Sequence, residues 1–231
     1  MTRIRLHHCH QTRSMRTLWL LEELGVDYEL AVYPFDATLR GDAYRAINPL
    51  GRVPALELDG EVLTETGAIA EVLTERFPER GLGRLQGDLD RPEYLQWLHF
   101  AETVTSHVAA LTQQHILLRE DWMRSPTIMK LEAMRLAVCY RAIEARLSTP
   151  VENRDYLLTS GFSAADVGVA QAVWAGRHFA RTDDFPEVTA WLERCTERPG
   201  FVAAATPVGG AQPLYAREFY EAWPERPPET P

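Results

Sequence analysis

Apolar and polar positions follow two different spacings along this chain. In the first 80 residues, stretches with alternating apolar positions, typical of strands, stand beside stretches with helical spacing. The strand pattern begins at Ile4 and recurs over 28–32, 55–58 and 61–64, and the helical pattern covers 15–24 and 69–77. This order predicts a small α/β domain, built as β-α-β, a linking segment and β-β-α.

Three local signals set the ends of these elements. Gly25 follows the first helical stripe as a helix stop, and Pro78 ends the second stripe. Asp59-Gly60 is a two-residue hairpin signal between the last two strands. The segment over 36–47 is polar and mixed, which predicts a loop, with or without a short helix.

Beyond residue 93 the spacing is helical only. Helices are predicted from Tyr94 past His115, over 128–147 and over 188–197. Ser163 and Asp166 have the spacing of a capping box, which predicts another helix start. The inward side of the helix over 128–147 is predicted to hold Leu131, Met134, Val138 and Ile143.

The change in spacing divides the chain into domains. We expect one domain over 1–80, a linker rich in Gly, Arg and Asp over 81–92, and an all-helical domain over 93–215. The remaining tail over 216–231 is rich in Pro and Glu from Glu218 onward, which predicts fraying.

Charge and composition exclude several classes of function. The 33 acidic and 24 basic residues give a net charge of −9, which argues against nucleic acid as a partner. No apolar run approaches the roughly 18 residues that cross a bilayer, and the N-terminus lacks the apolar core of a signal peptide. Three cysteines make a disulfide framework unexpected, so a reduced, cytoplasmic protein is predicted.

The segment over 48–56 and the pair Glu65-Thr66 contain the groups best suited to binding a ligand. Arg52 offers a planar cation for a carboxylate, and the Val53-Pro54 step leaves backbone polar groups unpaired at a surface. Glu65 and Thr66 stand at a helix start, where backbone N–H groups favour an anion. These parts together suit a small extended peptide that carries both charges, and glutathione is such a peptide.

Four segments in this order and spacing make the chain resemble a glutathione S-transferase: 12–25, 48–54, the pair Glu65-Thr66, and Ser163 with Asp166. The resemblance covers nearly the whole chain. It implies a thioredoxin-like N-terminal domain with a four-stranded mixed sheet and an all-α helical-bundle C-terminal domain. It also implies a cis proline at Pro54, a homodimer, and glutathione as co-substrate.

The resemblance places the sulfur site near the start of the first helix. The family usually has Tyr, Ser or Cys there, and Thr12 matches the position of that Ser. A Thr12 hydroxyl donating to sulfur would favour the thiolate. Ser14 is the main alternative, and helix capping is the alternative role for Thr12.

The rest of the glutathione site is carried over by motif. Arg52 would face the glycyl carboxylate, and Val53, before Pro54, would pair its backbone with the cysteinyl backbone as an added strand. Glu65 would accept from the γ-glutamyl ammonium, and Thr66 with the helix N-terminus would hold the γ-glutamyl carboxylate. The alternatives are an exposed surface arginine for Arg52 and simple helix capping for Glu65 and Thr66.

Other polar residues give weaker signals. The run His7-His8-Cys9-His10 lacks a second ligand pair, so no metal is expected. Cys9 is interpreted as a core residue rather than a redox thiol, and Arg13, Arg16 and Arg40 as solvated surface residues. The candidates for the wall of the second-substrate pocket are His99, Thr103 and His107, with Ser106, Gln114, Trp122, Met123 and Tyr215 as further candidates. The alternative for the polar residues of this helix is that they are ordinary exposed or domain-interface residues.

The sequence thus predicts a glutathione transferase that presents the thiolate to an electrophile held by the helical domain. A glutathione-dependent disulfide reductase on the same fold is the second hypothesis. A non-catalytic binding or scaffold module is the third, and the set Arg52, Glu65 and Thr66 argues against it, since a scaffold has no need of peptide-binding groups.

Overall fold

A computed structural model describes residues 2–149 and 155–222. Its sheet contains β1 (Ile4–His8), β2 (Glu29–Val32), β3 (Ala55–Leu58) and β4 (Glu61–Leu63). The strand order is β2-β1-β3-β4, with β1 and β2 parallel and the other pairs antiparallel. The predicted four-stranded mixed sheet is therefore confirmed.

Three helices accompany this sheet: α1 (Ser14–Leu24), α2 (Asp42–Arg45) and α3 (Thr66–Arg76). The leucine-rich stripe of α1 is buried, and Gly25 ends the helix in the left-handed region at φ 60°. Its amide bonds the Leu21 and Glu22 carbonyls, which satisfies two groups at the helix end. The helix stop expected at Gly25 is confirmed.

The second half holds α4 (Arg91–Thr112), α5 (Pro126–Leu147), α6 (Ala164–Gly176), α7 (Pro186–Thr196) and α8 (Pro199–Ala205). A π-helical turn, Gln113–Leu117, continues α4. Every residue of α6 is buried, so this helix forms the centre of the bundle. Among the described residues, no helix combines the length and the apolar character that crossing a bilayer requires.

Two helix boundaries differ from the expectation. α4 begins at Arg91, inside the segment predicted as a linker, and α8 forms after Pro199, where no helix was predicted. Proline in the first turn suits both starts, since Pro199 is the first residue of α8 and Pro92 the second of α4. The domain limits 1–80, 81–92, 93–215 and 216–231 stay a prediction.

The capping box at the start of α6 is confirmed. The Asp166 carboxylate accepts from the Ser163 amide at 3.0 Å, and the Ser163 hydroxyl caps the first turn. Asp166 also accepts from the Leu157 amide at 2.9 Å and from Trp191 Nε1 at 3.0 Å. This buried carboxylate therefore joins α6 to α7 and to the chain before it.

The predicted inward face of α5 is wrong at two positions. Met134 and Val138 are 63% and 56% exposed, although Ile143 is fully buried as expected. The sequence offers apolar residues on two faces of this helix, and Glu132 interrupts the face that is buried. That face holds Met129, Glu132, Leu136, Cys139, Tyr140, Ile143 and Leu147.

The tail also differs from its prediction in the residues up to 222. The Phe219 amide donates to the His178 carbonyl at 2.6 Å, and the Phe219 ring stacks on Phe179 with centroids 5.4 Å apart. These contacts dock the first part of the tail, which was expected to fray from Glu218. The rest of the predicted tail, 223–231, lies outside the described residues.

Candidate functional site

The loop between β1 and α1 brings both candidate hydroxyls to one place. Thr12 is half-buried, and its hydroxyl donates to the Cys9 carbonyl at 2.8 Å. Ser14 is fully buried. Its Oγ lies 3.0 Å from Thr12 Oγ1, so the two alternatives are neighbours rather than separate sites. Thr12 is the more exposed of the two hydroxyl residues, and which of them contacts a thiol stays a prediction.

Ser14 is surrounded by partners inside the protein. Its Oγ accepts from the Cys9 amide at 3.0 Å and lies 3.1 Å from the Cys9 carbonyl and 2.8 Å from His8 Nδ1. Burial, reinforced by the nearby His10, lowers the pKa of His8 to about 4. The His8 imidazole is therefore neutral near pH 7. Burial also raises the pKa of the Cys9 thiol to about 11, with a further contribution from Asp36, which agrees with a core cysteine.

The peptide bond between Val53 and Pro54 is cis, as expected. The carbonyl before it, on Arg52, accepts from the Tyr44 hydroxyl at 2.8 Å and from Asn48 Nδ2 at 2.7 Å. Gly51 has φ 61°, and a Cβ there would lie 2.7 Å from a backbone carbonyl oxygen. The loop is thus fixed by contacts that Asn48 and Gly51 supply.

This fixed loop presents unpaired groups. The Arg52 side chain is exposed and has no carboxylate partner within the described ranges. The N–H and C=O of Val53 make no hydrogen bond to any described residue. Pro54 is buried and leads into β3. The loop therefore offers one cation and one open backbone step.

The start of α3 offers the complementary charge. Glu65 is exposed, has φ 68°, and makes no side-chain capping bond. Its carboxylate has no ion-pair partner in the part of the chain that is described, and the amides of residues 66–68 have no acceptor there. The capping role weighed for Glu65 is thus not seen, and a helix start with open amides, a group suited to anions, lies beside a carboxylate that has no described partner.

Thr66 faces the helical half of the chain. Its buried hydroxyl donates to Glu102 Oε1 at 2.6 Å and accepts from Arg16 Nη1 at 3.3 Å. With its hydroxyl engaged, Thr66 has its backbone amide left for a ligand. Whether Thr66 binds the γ-glutamyl carboxylate stays a prediction.

Arg16 is buried, so the interpretation as a solvated arginine is wrong. Its guanidinium donates to Glu102 at 2.6 Å, to Gln171 at 3.1 and 3.2 Å, and to Thr105. Burial alone raises the pKa of the Glu102 carboxyl, but Arg16, the Thr66 hydroxyl and Arg13 together hold it below its usual value. Sequence reasoning missed Glu102 because its partners lie 36 and 86 residues away.

The predicted second-substrate residues have partners of their own. His99 Nε2 lies 3.0 Å from Glu71 of α3, and His107 Nδ1 lies 2.7 Å from Glu132 of α5. Thr103 is exposed. Their role toward a second substrate stays a prediction.

Tyr215 contacts the residue that precedes Thr12. Its amide donates to Gln11 Oε1 at 3.0 Å, and Gln11 precedes Thr12 with φ 56°. Its hydroxyl lies 3.2 Å from that of Thr112, and its ring stacks on His178. The Gln11 side chain thus connects the C-terminal segment to the loop that carries Thr12.

The histidine run is divided among separate contacts. His7 lies 2.9 Å from the Tyr33 hydroxyl and 2.8 Å from Glu57, whereas His8 bonds Ser14. Within residues 2–149 and 155–222, no three His, Cys, Asp or Glu side chains are grouped to hold a metal ion.

The chain is similar to known proteins over most of its length. The family model for the glutathione S-transferase N-terminal domain matches residues 12–76, and that for the C-terminal domain matches residues 126–199. Glutathione S-transferase GstA of Escherichia coli O157:H7 is 42% identical over 78% of this chain and 86% of its own length. Glutathione S-transferase 3 of Schizosaccharomyces pombe is 26% identical over 97% and 96%. A sphingomonad glutathione S-transferase solved with glutathione is 25% identical, with a TM-score of 0.72 over 87% of this chain and 96% of that one.

Proposed function

Because this chain belongs to the glutathione S-transferase family, we propose that it transfers the glutathione thiolate to a small electrophile. Glutathione is the co-substrate, and no metal takes part. The observation that carries the proposal is a pair of exposed charges, Arg52 and Glu65, that have no partner among the described residues, together with the open backbone step at Val53.

Each unpaired group suits one part of the tripeptide. The Arg52 guanidinium forms a two-pronged contact with the glycyl carboxylate. The N–H and C=O of Val53 pair with the cysteinyl backbone in the manner of an added strand. Glu65 accepts from the γ-glutamyl ammonium, and the free amides at the start of α3 hold the γ-glutamyl carboxylate.

The sulfur then lies at the loop that carries Thr12. A hydrogen bond from the Thr12 hydroxyl stabilises the thiolate more than the thiol, which lowers the pKa of the bound thiol. The thiolate attacks the electrophilic carbon, a carbon–sulfur bond forms, and the leaving group departs with the bond electrons. The buried, high-pKa Cys9 takes no covalent part.

Thr12 variants test this assignment. We expect Thr12→Val to keep glutathione binding and lose most turnover with chlorodinitrobenzene, whereas Thr12→Ser keeps both. If Ser14→Ala loses turnover and Thr12→Val does not, Ser14 is the hydroxyl that contacts sulfur. Turnover of hydroxyethyl disulfide without any conjugation would instead support the disulfide reductase.

The homodimer and the cytoplasmic location are part of the same proposal. Dimers are usual for the family, and Met134 and Val138 on α5 leave an apolar surface that a second copy can cover. All three cysteines are free, which suits a reducing compartment. Sedimentation equilibrium tests the dimer, and Met134→Lys with Val138→Lys is expected to weaken it.

A further inference from the structure

A line of hydrogen-bonding groups runs inward from Thr12 to a buried imidazole. Thr12 Oγ1 lies 3.0 Å from Ser14 Oγ, which lies 2.8 Å from His8 Nδ1. His8 and Ser14 are 2% and 0% exposed, so neither is available to contact the tripeptide. Their role must be exerted through Thr12.

The hydrogens on this line can be counted. Ser14 Oγ has one hydrogen and two lone pairs. The Cys9 amide, 3.0 Å away, can only donate, so it occupies one lone pair. The Cys9 carbonyl, 3.1 Å away, can only accept. Thr12 Oγ1, 3.0 Å away, can donate or accept. His8 Nδ1, 2.8 Å away, therefore decides whether the hydrogen of Ser14 is left for the Cys9 carbonyl.

If His8 Nδ1 carries no hydrogen, it takes the hydrogen of Ser14. The Cys9 carbonyl then depends on the Thr12 hydroxyl, 2.8 Å away, and on the longer 3.3 Å contact with the Thr12 amide. Turning the Thr12 hydroxyl toward sulfur would deprive this carbonyl of its shorter donor, at a cost in free energy.

If His8 Nδ1 carries the hydrogen, the Cys9 carbonyl and the sulfur no longer compete for the Thr12 hydroxyl. His8 donates to the remaining lone pair of Ser14, and the Ser14 hydroxyl donates to the Cys9 carbonyl. The Thr12 hydroxyl is then available to sulfur while every buried group keeps a partner.

We propose that His8 is a positioning residue of the sulfur site, which holds the Nδ1–H tautomer, donates to Ser14 and so leaves the Thr12 hydroxyl as a donor to the glutathione thiolate. This inference rests on the proposed transferase function. No proton leaves His8 at any step. The lowered pKa of His8 agrees with an imidazole that stays neutral at the pH of the reaction.

The tautomer is measured in the ligand-free wild-type protein. Nitrogen-15 shifts of the His8 ring distinguish a hydrogen on Nδ1 from one on Nε2. We expect Nδ1–H, and an Nε2–H tautomer would overturn the proposal. Because no glutathione is present, this result is decided whether or not the transferase function holds.

A matched pair of variants tests the consequence. Leu and Asn have nearly the same shape, but only Asn supplies an N–H close to the position of Nδ1. Thiolate absorbance of bound glutathione is followed against pH in His8→Leu and His8→Asn. We expect His8→Leu to raise the pKa of the bound thiol by about one unit, roughly a tenfold loss of thiolate at a pH below that pKa. Glutathione affinity should be unchanged at a pH where the bound thiol is protonated. His8→Asn should titrate close to wild type.

Two outcomes of that experiment overturn the proposal. Equal shifts of the thiol pKa in both variants would mean that His8 acts only by filling space. An unchanged thiol pKa in both would mean that the Thr12 hydroxyl donates to sulfur without a hydrogen bond from His8. A wild-type protein that binds no glutathione would overturn the transferase function and, with it, the role of His8 at the sulfur site, whereas an Nε2–H tautomer would overturn the role of His8 alone.

Discussion

Removing the Arg16 charge is the change whose consequence can be worked most fully from the structure. Arg16→Met keeps the apolar stem of the side chain and removes the guanidinium. Gln171 Oε1 and Thr105 Oγ1, both buried, lose that donor, and Glu102 loses its 2.6 Å ion pair. These contacts link α1 to α4 and α6, so the variant weakens the join between the two halves of the chain.

The loss of unfolding free energy in Arg16→Met follows from how deeply these groups are buried. A buried group left without its partner costs about 1–3 kcal/mol, and a broken buried ion pair costs about 3–5 kcal/mol. The Glu102 side chain is 36% exposed and keeps its contacts with Thr66 and Arg13. Solvent and these contacts reduce the loss, so we expect about 3 kcal/mol less free energy of unfolding for Arg16→Met.

Urea unfolding at one protein concentration measures this loss, since a dimer's stability depends on concentration. Arg13→Met is the matched control, because its ion pair with Glu102 is longer, 3.4 Å, and more exposed. We expect it to cost less than about 1 kcal/mol. Equal losses in the two variants would refute the reasoning that burial sets the cost. Adding Glu102→Met to Arg16→Met should recover part of the loss, because only the exposed charge of Arg13 then lacks its partner.

Three further results are expected. Gln11→Leu removes the acceptor for the Tyr215 amide and should lower turnover of chlorodinitrobenzene at unchanged glutathione affinity. Gln11→Glu keeps the acceptor and should keep the activity. Equal turnover in the two variants would contradict this. The folded-state pKa of His8, about 4 against an ordinary 6.5, means that the unfolded chain binds more protons between these values. His8 should therefore lower the free energy of unfolding by up to about 3 kcal/mol as pH drops from about 6.5 to 4. Because His115 has a similarly lowered pKa, the His8 part is the difference between wild type and His8→Asn in urea unfolding across pH. Asp166→Ala leaves the Trp191 and Leu157 donors unpaired and should cost about 3 kcal/mol in the same assay, and a loss below about 1 kcal/mol would contradict it.

Local patterns made the fold predictable. The four strands, the stop at Gly25 and the capping box at Ser163 and Asp166 each depend on residues within a few positions of one another. The buried face of α5 was not predictable in this way. Apolar residues lie on two of its faces, and the buried one contains Glu132, whose partner His107 lies on another helix.

The candidate site shows the same difference between residues with local signatures and residues whose contacts are distant in the sequence. Arg52 and Glu65 could be found because a loop and a helix start have local signatures. The burial of Arg16 could not, because its partners Glu102 and Gln171 are 86 and 155 residues away. Polar contacts between distant elements leave no periodic signal, so an arginine that joins two domains has the same local pattern as one on the surface.

Calorimetric titration with glutathione tests the central claim most directly. The unpaired charges lead us to expect saturable binding, one tripeptide per chain, in the wild type. Glu65→Gln and Arg52→Gln should each weaken it at least tenfold, about 1.4 kcal/mol. Glu61→Gln, an exposed glutamate four residues from Glu65, is the control and should bind as the wild type does. No binding by the wild type at millimolar glutathione, or equal affinity in all three variants, would contradict the account.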